Sequence, residues 1–341
     1  MSTRRSASSG NCLFTLLLSL LLLAIVAHAQ DPGIDSPHIA ARSTAKLPSY
    51  VPAGATLPKL NTRPLRVDVN LVLVPVTVVD SMSRPVIDLP KQSFALSEGG
   101  VPQTIQYFSH EDAPISIAFV LDFSGSMRDK IEFVHQALGQ FFQNANPEDD
   151  YYVITVSDKP TLVADASQST NTILARLAAV EAKGMTALYD SIYLAVNKLR
   201  SARYKRRAMV IVSDGGDNRS RYSLKETKSV LAESDILTYS IGIFDGIPLP
   251  LFKSIEERMG RKWLDEVTRV SGGRNIPADD RRQIPQIAGI ISNELRSQYV
   301  LGYRPSNPEN DGKFRKISVK LTENPFQMHV HFKEGYVAPG P

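Results

Sequence analysis

The stretch ISIAFVLDFSGSM, residues 115–127, decides how this chain is read. Ile115–Leu121 is an apolar run of the kind expected of a central parallel strand buried on both faces. Asp122, Ser124 and Ser126 follow at once, where that strand ends and a loop begins. They stand at i, i+2 and i+4, a spacing that in a tight loop turns three oxygens to one centre, with Gly125 relaxing the backbone. A second apolar run, AMVIV (208–212), leads to Ser213 and Asp214, and Thr186 sits in KGMTALYD (183–190) just before a helical pattern. In an open parallel sheet, ligands bind beyond the carboxyl ends of the strands, near the point where strand order reverses. Asp122, Ser124, Ser126, Thr186 and Asp214 are therefore candidates for one shared site.

Outward from that stretch, residues 113–296 alternate strand and helix. YYVITVSD (151–158), TLVADA (161–166), AMVIVSD (208–214) and ILTYSIGIF (236–244) read as strands. DKIEFVHQALGQFFQNA (129–145), TNTILARLAAVEA (170–182) with Thr or Asn near its N-cap, ALYDSIYLAVNKLRSA (187–202), SLKETKSVLAESD (223–235), KWLDEVTRVSGG (262–273) and IPQIAGIISNELRSQ (284–298) read as helices. The expected fold class is α/β, a doubly wound, mostly parallel sheet with helices on both faces. Two β-rich blocks flank it. LRVDVNLVLVPVTVVD (65–80) reads as one or two strands, and SFALSEGGVPQTIQYFSH (93–110) as a hairpin with Gly99-Gly100 at its tip. YVLGYRP, KFRKISVKLT and HVHFKEGYV read as three more strands after residue 297. Segments 66–112 and 297–341 are expected to pair, making one accessory β-sandwich-like domain from both ends.

The N-terminus has the three parts of a secretory signal: Arg4 and Arg5, the apolar run Leu13–Val26, and Ala27-His28-Ala29 as a cleavage site. The run is shorter than a spanning helix needs, so cleavage at 1–29 is preferred to an uncleaved anchor. The protein is then exported, to the periplasm, the cell surface or the medium, with no stable membrane span. The only cysteine, Cys12, leaves with the signal, so an oxidising compartment would find no disulfide to form. Loss of Arg4 and Arg5 lowers the formal charge from +4 to +2, which with no basic stripe argues against nucleic acid. Residues 30–65, rich in Pro, Ala, Ser and Thr, read as a flexible linker. Nothing in the sequence sets an oligomeric state.

Carboxylate and hydroxyl oxygens are hard donors, suiting Mg²⁺ first, and Mn²⁺ or Ca²⁺ also, over Zn²⁺. Two carboxylates at most balance a 2+ ion and three hydroxyls add no charge, so such an ion keeps an electrophilic position for a carboxylate from outside. Asp122-Phe-Ser124-Gly-Ser126, Thr186 and Asp214 together resemble the metal-ion-dependent adhesion site of the von Willebrand factor A domain, over roughly residues 114–296. Ser213 stands where that family usually has Thr. The resemblance implies that Ser124, Ser126 and Thr186 bind the ion directly, and that Asp122 and Asp214 do so directly or through water. It implies a protein partner offering Glu or Asp, and a C-terminal helix, here 284–298, that shifts on ligand binding. The flanking blocks look like those of a bacterial group of exported proteins of the acidobacterial VWFA-related type. The expected function is adhesion, envelope assembly or scaffolding without catalysis. The alternative is a non-catalytic partner subunit of an enzyme or ATPase complex that scaffolds without metal.

Other residues have simpler expected roles. Ser124 and Ser126 lack a base placed by motif and do not form a nucleophile elbow. Asp217 and Asn218 belong to a solvated loop or a second cation site, and Asp190 buttresses the Thr186 loop. Arg200, Arg203, Lys205, Arg206 and Arg207 form a solvated basic surface near a helix end or an anion patch. His329 and His331 share a strand face. Trp263, Leu264 and Val267 pack on the sheet, Met127 packs beneath the metal loop, and Phe123 is either core or exposed beside the ion.

Overall fold

A computed structural model describes residues 71–340 apart from 111, 167 and 245–254. The expected signal peptide (1–29), the linker (30–65) and residues 66–70 lie outside the described residues.

β5 (Ser116–Asp122) is buried along its whole length, as a strand with no solvent-facing polar register must be. It sits inside a six-stranded sheet between β6 (Asp150–Val156) and β8 (Arg207–Ser213), both parallel to it. β9 (Leu237–Ile243) and β10 (Asn275–Ala278) continue the parallel side, and β7 (Thr161–Ala164) closes the other edge antiparallel. The chain leaves β5 for β6 on one side and returns to β8 on the other, so strand order reverses at β5. Register puts Asp122 opposite Val156 and Leu121 opposite Val212, so the carboxyl ends of β5 and β8 open at one level.

Alternate residues of these strands face two helical layers. α1 (Ile131–Gln143), α2 (Thr170–Ala178) and α6 (Ile284–Arg296) cover Phe119, Leu121 and Val210 on one side. α3 (Leu188–Arg200), α4 (Leu224–Glu233) and α5 (Ile255–Ser271) cover Val120, Ile154 and Ile211 on the other, where Trp263, Leu264 and Val267 lie in the core. Each fully buried Val, Leu, Ile or Phe contributes about 1.5–3 kcal/mol, and the edge-on pair Phe119–Phe141 at 4.9 Å adds a specific contact. Ser169, rather than Thr or Asn, caps α2 by accepting from Thr172 N, and Ser223 with Glu226 forms a capping box on α4.

The flanking segments form two antiparallel four-stranded sheets. One has the order β13 (His329–Phe332), β1 (Val72–Val79), β11 (Tyr299–Tyr303), β4 (Ile105–Ser109). The other runs β14 (Gly335–Val337), β12 (Phe314–Leu321), β2 (Phe94–Glu98), β3 (Val101–Gln103). Their inner faces share a core of Val74, Val76, Phe94, Leu96, Tyr299, Leu301, Ile317 and Val319, so strands from both ends of the chain interleave.

Three details differ from the sequence reading. The Gly99-Gly100 turn joins β2 to β3, but the second limb breaks at Thr104 and β4 crosses to the opposite sheet. Pro102, which has no N–H for a ladder, confines β3 to an edge. HVHFKEGYV is two strands in different sheets, β13 and β14, parted where Lys333 leaves the sandwich to donate to Ser234 O at 2.7 Å. β10, four residues of the Asn275–Ala278 segment, was not legible because its pattern is too short.

Candidate functional site

The β5 carboxyl end delivers Asp122 into a fully buried position. Its Oδ1 accepts from Ser124 N at 3.0 Å and its Oδ2 from Ser213 Oγ at 2.7 Å, while Ser213 Oγ accepts from Gly215 N at 3.0 Å. Ser213, the departure from the usual Thr, thus ties the β8 end to the β5 end. Ser124 Oγ and Ser126 Oγ lie 3.2 Å apart, and Ser126 Oγ donates to Asp214 Oδ2 at 2.8 Å. Asp214 Oδ1 accepts from Gly216 N at 3.0 Å. Four of the five candidates are therefore linked by contacts from Asp122 to Asp214. Thr186 joins through backbone: Gly125 N donates to Gly184 O at 3.0 Å, and Asn218 N and Arg219 N donate to Thr186 O at 3.0 and 3.1 Å. Ser126 lies exposed at the mouth, whereas Asp122, Ser124 and Thr186 are buried.

The Thr186 loop has supports that sequence reasoning missed. Asp158 Oδ1 accepts from Met185 N at 2.9 Å. Gly184 holds φ +82°, and a Cβ there would come within 2.6 Å of Asp158 Oδ2, so any larger residue is strained in its backbone and displaces the Asp158 carboxylate. Asn218 Oδ1 accepts from Thr186 N at 2.9 Å. The signal available beforehand was Gly184 before a loop Thr, together with the Asp-Asn pair after β8. Asp217 has a structural role: Oδ2 accepts from Tyr189 N at 3.0 Å and Ser220 Oγ at 2.6 Å, which fixes the start of α3. Asp190 Oδ1 accepts from Arg221 N at 2.9 Å and Tyr222 N at 3.3 Å, a buttress to the adjoining loop. Phe123 and Met127 are both core residues.

Burial, and next the charge of Asp214, push the Asp122 carboxyl up to about 6, against the pull of hydrogen bonds from Ser213 and Ser124. Among the described residues no basic side chain is a leading cause of that shift. Two like charges beside hydroxyl oxygens, one of them buried, are chemically suited to a hard cation. Among the described residues no group of three or more His, Cys, Asp or Glu is arranged to hold a metal, so an ion here would rely on hydroxyls.

The remaining candidates do not assemble into sites. His331 is half-buried and pushed down to about 4, first by burial and then by Arg274 and His329, an environment hostile to a cation. Arg206 is no part of a solvated patch, because its guanidinium donates to Leu295 O at 2.7 Å and to Ala113 O.

Residues 117–216 match the family model of the von Willebrand factor type A domain. The chain carries a von Willebrand factor type A (VWA) domain. The match spans β5 to the Asp214 loop and so includes every candidate donor. Inter-alpha-trypsin inhibitor heavy chain H4 of Homo sapiens is 28% identical over 142 residues, 36% of this chain and 15% of that protein. The chain therefore spans a small part of that relative's length. Among solved structures, a von Willebrand factor type A protein from Catenulispora acidiphila is 10% identical with a TM-score of 0.46, covering 79% of this chain and 72% of that one. Proximal thread matrix protein 1 from the mussel byssus, with a zinc-occupied MIDAS motif, is 16% identical with a TM-score of 0.44, covering 58% of this chain and 49% of that one. No helix among the described residues is long and apolar enough to cross a membrane.

Proposed function

We propose that the VWA domain captures an acidic side chain of a protein partner through a divalent cation held by Asp122, Ser124, Ser126, Thr186 and Asp214. The observation that carries this reading is the linked run of residues from buried Asp122 through Ser124 and Ser126 to Asp214, two acids with no ion-pair partner among the described residues. When bound, the ion supplies an electrophilic centre for an outside carboxylate, and Mg²⁺ suits these donors best. Ser213 and the Ser124 N–H hold the Asp122 carboxylate in one orientation, and Asn218 and Asp158 hold the Thr186 loop against it. Among the described residues Ser124 and Ser126 bond to Asp122, to each other and to Asp214, contacts that suit ion binding. The reading includes an exported protein, a VWA domain over residues 113–296 and a β-domain from 66–112 with 297–341, serving adhesion, envelope assembly or scaffolding. The test is electron paramagnetic resonance of Mn²⁺ bound to the protein. The expected result is that an Asp-bearing peptide changes the bound-ion signal and its Asn counterpart does not. Equal responses would remove metal-bridged capture.

A further inference from the structure

Several cations lie on the segments that adjoin the site, and most of them are already engaged. Lys183 pairs with Glu181 at 2.9 Å, Arg221 with Asp190 at 3.2 Å and Arg281 with Asp129 at 2.8 Å. Arg219 differs: its backbone N–H is fixed on Thr186 O at 3.1 Å, while its exposed guanidinium has no ion-pair or hydrogen-bond partner among the described residues. Arg128, exposed two residues beyond Ser126, is only loosely associated with Glu181, whose carboxyl it helps to hold down. Two arginines thus stand on different segments, Arg219 anchored by its backbone beside Thr186 and Arg128 on the short 3-10 turn that follows Ser124, with exposed Met185 next to Thr186 on a third segment. A guanidinium offers a planar pair of donors to a carboxylate, and an uncommitted one at the rim of a binding site attracts and orients an acidic partner.

Resting on the metal-bridged reading above, we propose that this mouth selects an acidic peptide segment with two carboxylates. One is directed at the ion, and a second, a few residues away, docks on Arg219, with Arg128 adding to the attraction and Met185 giving apolar contact. A single carboxylate would satisfy the ion and leave Arg219 idle, so the second acid sets specificity among acidic segments.

The test pans short random phage-displayed peptides on the immobilised protein in Mg²⁺ and elutes them with chelator. Eluted peptides are expected to carry an Asp or Glu together with a second acidic residue close by. On Arg219→Glu protein the second acid should disappear from the selected sequences while the first remains. A selected synthetic peptide is expected to bind Arg219→Glu about tenfold more weakly, with a shallower salt dependence. Chelator-eluted peptides with one acid, bound equally by both proteins, would overturn the two-carboxylate selection and leave metal-bridged capture standing. No chelator-eluted peptides at all would overturn both.

Discussion

At the scale of single residues, Asp122 carries the account. Its folded-state pKa of about 6 lies above the ordinary carboxylate value, so the ion-free fold favours the protonated form more than water does. Ionised at neutral pH, it costs about 3 kcal/mol relative to an unshifted carboxylate. Between about pH 4 and 6 the folded state binds more protons than the unfolded one, so ion-free stability rises as pH falls through 6 and levels off near 4. Thermal unfolding of ion-free Asp122→Asn between pH 4 and 8 should lack this rise; an unchanged pH profile would remove the assigned cause. Gly184→Val should be destabilising by about 1–3 kcal/mol in chemical denaturation, because it combines a positive φ with the Asp158 approach. All five candidate donors were readable from sequence because each follows an apolar run or precedes a helix. Asp158 and Asn218 were not, since their work is to accept backbone N–H groups across loops that only the fold brings together.

At the scale of elements, buried ion pairs fasten α6 to its surroundings. Glu294 on α6 is fully buried against Arg274, and Arg274 also reaches Ser83 Oγ of the sandwich at 3.4 Å. Asp149 is buried under Arg296 at the α6 end and also accepts from Ile115 N at 2.9 Å and Tyr151 OH at 3.0 Å. Removing one partner leaves a buried charge unpaired, so Arg274→Ala should lose about 3–5 kcal/mol in urea unfolding. The double variant Arg274→Ala with Glu294→Gln should recover part of that loss. A cost below about 1 kcal/mol for the single variant would show the pair to be solvent-screened. Periodicity exposed every long helix and the central strands, because burial on one or two faces leaves a repeat in the sequence. It could not expose the break at Thr104 or at Lys333-Glu334, where a continuous β-like pattern changes sheets without changing its alternation.

At the scale of the whole molecule, the sandwich is assembled from strands some two hundred residues apart. β11 is paired on both sides, by β1 and by β4, and β12 pairs with β2. A chain ending at residue 296 would strip β4 and β2 of those partners and expose the shared core of Val76, Phe94 and Leu96. It should aggregate or elute as larger species in size-exclusion chromatography, whereas a soluble monomer would mean that the α/β part stands without the sandwich. That interleaving into a sandwich was expected from two β-rich flanks with unpaired edges, although the switch of a continuous segment from one sheet to the other was not. The central claim, that the VWA domain holds a divalent cation on these five residues, is tested most directly by titration calorimetry. Residues 30–341 are titrated with Mg²⁺ and Mn²⁺ beside an Asp122→Ala variant whose folding is checked by circular dichroism. The account predicts saturable one-site binding in the wild type that is lost in the variant. Binding that persists in the folded variant, or none in the wild type at millimolar ion, would contradict it.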